Sequence, residues 1–112
     1  MPFVERRKFR RYWLQCQLSY VAVTASSGVK VVGSGETLNI GSSGVLFQSD
    51  RPLEIQSLIE LFIQWPVALH DFIPLDLVVH GTVIRVEGNE VAVKYDKYGF
   101  IVRQNQESLE PT

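Results

Sequence analysis

The chain has one cysteine, Cys16, in 112 residues. No intramolecular disulfide can form, and a lone thiol fits a reducing compartment, so a cytoplasmic location is expected. Long apolar runs are equally scarce. The greasiest stretch, LIELFIQWPVAL, is interrupted by Glu60, Gln64 and Pro66 and is too short to cross a bilayer as a helix. The basic start of the chain is not followed by the apolar core of a secretion signal. Neither export nor membrane insertion is expected.

Patterns that carry catalysis are missing as well. His70 and His80 have no cysteine or carboxylate at metal-ligand spacing. GSSG at 41–44 lacks the G-x-S-x-G of a nucleophile elbow, and GSGETL at 33–38 does not complete G-x-G-x-x-G. Asp71 and Asp76 flank a loop and read as solvent-facing rather than as an acid/base pair. Cys16 alternates with Leu14 and Leu18 and reads as a small core residue. The expectation is a protein that is not an enzyme and holds neither metal nor cofactor.

What is present is period-two patterning. With 46% hydrophobic and 21% charged residues, the chain fits one small globular domain without internal repeats. Leu14, Cys16, Leu18 and Tyr20 alternate with polar residues, as in a strand with one buried face. Further strands are predicted over Val29–Leu38, Val45–Ser49, Leu58–Gln64, Leu75–Val86 and Glu90–Tyr95, with turns at ASSG, GSSG, DRP and EGNE. VIRVEGNEVAVKY is the clearest hairpin. Only the end, from Asp96 onward, suits a short helix. About six short strands in one small domain predict an all-β, six-stranded antiparallel barrel, because closure removes exposed sheet edges.

Charge is concentrated at the start. ERRKFRR at 5–11 has five cations and one carboxylate, a sum of +4, on a chain whose formal net charge is −1; the 6 basic and 11 acidic residues elsewhere sum to −5. Such an arm either solubilises a small domain or recognises an anion. Duplex DNA is a poor candidate, because a remainder carrying −5 would be repelled by the phosphates that attract the arm. No nucleic-acid partner is expected. Trp13, just after the arginines, suits packing beneath the arm better than stacking on a base, and Trp65 before Pro66 reads as a strand end.

The arm combines with a second polar stretch, LNIGSSGVLF at 38–47, and with GTVIRVEGNEVAVKY. Together these segments resemble the PilZ domain, a small bacterial β-barrel that serves as a receptor for cyclic di-GMP. The resemblance covers about Glu5 to Val102. It implies a flexible basic arm over 1–12, a barrel over 13–103 and a polar tail over 104–112. The family's R-x-x-x-R is matched by Arg7 and Arg11, preceded by Arg6; its [D/N]-x-S-x-x-G is matched by Asn39 and Gly44. Two positions depart from the pattern: Gly41 replaces the motif serine, and Arg10 stands where proline is frequent, creating a second frame, Arg6 with Arg10.

The resemblance implies that Arg6, Arg7, Arg11, Asn39, Gly41, Ser42 and Gly44 bind cyclic di-GMP, with Ser42 or Ser43 supplying the hydroxyl that Gly41 lacks. The chemistry is coherent. A guanidinium satisfies guanine N7 and O6 together and takes a phosphate bidentately, while an Asn39 oxygen accepts from the guanine donor edge. Extended, Arg7 and Arg11 are about 13 Å apart; one helix-like turn brings them to roughly 6 Å, so a compact ligand favours a curled arm that orders on binding and signals to an unidentified protein partner. The other reading is a PilZ-like domain that has lost nucleotide binding and acts through protein contacts.

Overall fold

The computed structural model describes residues 14–103; the arm over 1–12, with Arg6, Arg7 and Arg11, as well as Trp13 and the tail over 104–112, lie outside the described residues. Six strands form: β1 Gln17–Val23, β2 Lys30–Ile40, β3 Gly44–Ser49, β4 Leu58–Gln64, β5 Leu75–Glu87 and β6 Glu90–Val102. They close into a barrel in the order β1-β2-β3-β6-β5-β4, with every pairing antiparallel. Closure is made by β3 against β6 and by β1 against β4.

Alternation explains the core. Leu18, Tyr20 and Ala22 of β1, Leu61 and Ile63 of β4, and Val91 and Val93 of β6 point inward and are buried, while their neighbours face out. Each fully buried aliphatic side chain stabilises the fold by roughly 1.5–3 kcal/mol relative to exposure. Cys16 is buried among them, as its spacing predicts. The β5–β6 hairpin closes through Gly88 and Asn89, between the paired Glu87 and Glu90. Gly88 has φ 62°, a conformation with little cost for glycine and the one required at the first central position of a type II′ turn.

One expectation is overturned. No helix forms from Asp96 onward: β6 continues to Val102, and Lys97–Val102 pair with Leu75–His80 of β5. Those β5 residues carry main-chain donors and acceptors that need partners, and the chain returning from the hairpin is the nearest supplier. Asp96 is an extra residue between the Gly81↔Tyr95 and His80↔Lys97 pairs, a bulge that shifts the inward phase by one position. Asp76 also differs from its reading: its side chain is only 14% exposed, and Arg103 Nε lies 2.7 Å from its Oδ1. No helix among the described residues is long and apolar enough to cross a membrane.

A polar chain crosses the buried Tyr20. Ser49 Oγ donates to the Arg51 carbonyl at 2.7 Å, leaving the Tyr20 phenol to donate to Ser49 Oγ at 2.7 Å, with Asp50 Oδ1 at 3.4 Å as a second acceptor. Burial pushes the phenol pKa up. The Ser34 amide bonded to Asp50 holds that exposed carboxyl below the usual carboxylate range. A lowered folded-state pKa means that the Asp50 contribution is present above the unfolded value of about 3.8 and is lost as pH falls through the lower folded value. Tyr20→Phe removes the phenol donor while keeping the ring contact with Phe47 at 5.8 Å. The expected loss is about 1 kcal/mol in urea unfolding; an unchanged midpoint would show that the chain of hydroxyls contributes nothing net.

Candidate functional site

Two bulges shape the outer wall made by β2, β3, β6 and β5. In β2, Thr37 pairs with Phe47 and Asn39 with Leu46, so Leu38 is the extra residue. Without it, Thr37 and Asn39 would share a face. With it, Thr37 stays inside, where Cys16 N donates to its hydroxyl at 2.8 Å and the hydroxyl donates to the Leu14 carbonyl, and Asn39 shifts to the face of its partner Leu46, where it is still only 5% exposed. In β5, Val83 pairs with Val93 and Arg85 with Ala92, so Ile84 is the extra residue and Arg85 turns outward. Bulges re-aim side chains in this manner beside functional sites.

The register then aligns one row across four strands: Asn39, Leu46, Ala92 and Arg85. At the strand spacing of about 4.8 Å, the row spans about 14 Å from Asn39 to Arg85. The adjacent row places Gly44 beside Lys94. Together with Ser43 and Ile84 these residues line a groove of about 500 Å³, inside the roughly 300–1,000 Å³ range of small-molecule sites. Its apolar floor is bounded by an amide at one end and cations at the other.

Charge sets this groove apart. No carboxylate is among the described residues that line it, although acidic residues outnumber basic ones 11 to 6 outside the arm. Arg85 and Lys94 both face it, and neither takes part in the ion pairs found among the described residues, Glu60 with His80 and Asp76 with Arg103. A second groove of about 420 Å³ on the wall of β1, β4, β5 and β6 contains Glu60 and Asp96 beside Lys97 and is the poorer match for an anion.

The turn between β2 and β3 is tied down from two sides. Gly41 N donates to the Gly44 carbonyl at 2.9 Å, and Tyr95 N donates to the Ser43 carbonyl at 3.1 Å. Neither Gly41 nor Gly44 has a positive φ, which among the described glycines is found at Gly28 and Gly88. Gly44 answers a different need. A Cβ there would lie 2.5 Å from the Val93 carbonyl oxygen, so its absence lets β3 close against β6 and hold the turn at the rim of the groove.

Of the residues implicated by sequence, Asn39 and Gly44 line the groove. Gly41 is buried and Ser42 exposed, and neither lines it, whereas Ser43 does. Arg85 and Lys94 were not legible as site residues. Val83, Arg85, Val91, Val93 and Lys94 all read as ordinary strand positions, and only the bulge and the cross-strand register bring the two cations opposite Asn39. Among the described residues no group of histidine, cysteine and carboxylate side chains could hold a metal ion. Comparison with family models, curated proteins and solved structures finds no significant match.

Proposed function

We propose that the chain is a receptor for cyclic di-GMP, bound in the Asn39–Arg85 groove and held from the other side by the arginine arm. The observation that carries this reading is the junction of two independent signals. The turn that resembles the second PilZ motif borders a groove lined by two cations and no carboxylate among the described residues, on an otherwise acidic barrel. The ligand is a dianion with two guanine edges. Asn39 supports the donor edge of one base, Arg85 and Lys94 oppose phosphate or guanine acceptors, and Leu46, Ile84 and Ala92 offer an apolar bed for a base face. Arg7 and Arg11 supply the remaining charge. Binding involves no bond-making: it orders the arm against the barrel and presents a changed surface to a protein partner.

Calorimetric titration of the protein with cyclic di-GMP, with cyclic di-AMP and GTP as controls, tests the reading. Heat with cyclic di-GMP alone supports it; no heat at saturating nucleotide favours the PilZ-like interaction module without ligand. Gly41→Ser refines the test. Because Gly41 is not in the left-handed region, a serine there carries none of the backbone cost of that conformation. Restoring the motif hydroxyl adds one neutral hydrogen bond of roughly 0.5–1.5 kcal/mol, a gain of about 2- to 13-fold in affinity. Unchanged affinity in a stable variant would assign the hydroxyl role to Ser43, which already faces the groove.

A further inference from the structure

β6 parts from β3 at Lys94. Gly44 pairs with Lys94, Tyr95 N donates to Ser43, and from Lys97 to Val102 β5 is the only strand among the described residues that pairs with β6. Among the described residues, the opposite edge of Asp96–Val102 therefore has no strand paired to it, the geometry that accepts another strand in register. Edges are usually blunted by proline, by charge along their length, or by a covering element. Here the run Tyr98–Val102, between Lys97 and Arg103, contains neither charge nor proline, and its side chains are apolar and exposed: Tyr98 61%, Phe100 50%, Ile101 46% and Val102 50%.

We propose that this edge is a self-association surface, on which a second copy of the chain pairs antiparallel about a two-fold axis at Gly99. The sequence of the edge is complementary to itself. Gly99 is the centre of Asp96–Val102, so a two-fold there pairs the whole open run and stops before the segment that β3 already occupies. In that register Tyr98 lies opposite Phe100 of the partner subunit, and the symmetry repeats the contact, giving two cross-strand aromatic pairs. Lys97 falls opposite Ile101 of the partner subunit and Asp96 opposite Val102 of the partner subunit, so no like charges meet.

The sheet face at the axis is uncrowded: a Cβ placed on Gly99 would find no atom within 4 Å, so a side chain introduced there meets no obstruction. A formal net charge of −1 adds little repulsion between copies. Tyr98, Phe100 and Val102 pair across to Val79, Leu77 and Leu75, and the Phe100 ring lies edge-on to Trp65 at 5.2 Å, so the partner strand would extend an apolar wall that already exists. Each half-exposed aromatic ring presents about 100 Å². With the aliphatic neighbours and the two main-chain edges, the pair buries on the order of 1,000 Å², the lower bound for a specific interface. A reversible, concentration-dependent dimer is the expected species.

Sedimentation velocity of the full chain across the micromolar range should show monomer converting to dimer. Gly99→Cys should become disulfide-linked under mild oxidation, because the two-fold sets the new thiols opposite each other while Cys16 is buried. Leu58→Cys, exposed on another wall, serves as the control and should not cross-link. The double variant Tyr98→Lys with Phe100→Lys should weaken association about tenfold or more, and mixing it with Tyr98→Glu and Phe100→Glu should restore a one-to-one heterodimer. A chain that stays monomeric at every concentration overturns the proposal. So does a dimer in which Gly99→Cys cross-links no faster than Leu58→Cys, since that dimer would use another surface. Neither result depends on nucleotide, so the receptor reading stands or falls separately.

Discussion

Gly44→Ala is expected to lower the melting temperature by roughly 5–20 °C, because overpacking against fixed structure costs about 1–3 kcal/mol and each kcal/mol shifts a domain of this size by about 4–8 °C. The added methyl would sit 2.5 Å from the Val93 carbonyl oxygen. That atom is main chain in a paired strand and cannot rotate away. β3 must lift from β6 at the point where the barrel closes, and the Ser43 carbonyl that accepts from Tyr95 moves with it. Thermal unfolding of the variant checks this directly. A midpoint within a degree of the wild type would mean that the closure is looser than its geometry. The prediction also separates two roles of a motif glycine. If Gly44 only admitted ligand, Gly44→Ala would reduce affinity and leave stability untouched.

Much of the barrel was legible because its strands obey one rule. Leu58–Gln64 is bounded by turn residues on both sides and forms β4 as read, and Leu75–Val86 differs from β5 by one residue. The β1 reading began early, at Leu14, because Thr37 binds the segment around Leu14 and Cys16 through its hydroxyl and backbone and keeps the alternation going outside the regular ladder. Readings failed where the period breaks. The bulge at Asp96 inserts one residue and places Tyr95 and Tyr98, rather than residues two apart, on the inward side. With Asp96, Lys97 and Gly99 interrupting it, the run no longer looks like a strand, and its pairing partner, Leu75–His80, is distant in sequence.

The same physics hid half of the candidate groove. Asn39 could be singled out only through a motif, since by alternation with Thr37 it would be assigned to the interior. Arg85 could not be singled out at all: its outward aim depends on the extra residue Ile84 and its proximity to Asn39 on two further strands. Bulges are set by how a strand meets its neighbours, and neighbours are a property of the closed barrel. The exposed run Tyr98–Val102 belongs to the same class, because whether a strand has a free edge follows from where β3 begins and not from the composition of β6.

On the receptor reading, removing the arm's arginines should have the largest effect on binding. If Arg7 and Arg11 hold the ligand as proposed, Arg7→Ala or Arg11→Ala each removes a charge-assisted contact of roughly 1.5–3 kcal/mol, an expected loss of about 13- to 160-fold in cyclic di-GMP affinity, and the double variant should fall below calorimetric detection. Thermal unfolding of each variant distinguishes lost recognition from lost structure. Arg85→Ala provides the comparison from the barrel side: it is exposed and shares the groove with Lys94, so a smaller loss of up to about tenfold is expected in a solvated, screened site. Arg6→Ala and Arg10→Ala decide the frame, because the pair that binds must lose affinity at both of its positions. If all four arm variants and Arg85→Ala titrate like the wild type, neither the arm nor the groove holds the nucleotide, and the charge at 5–11 serves another purpose.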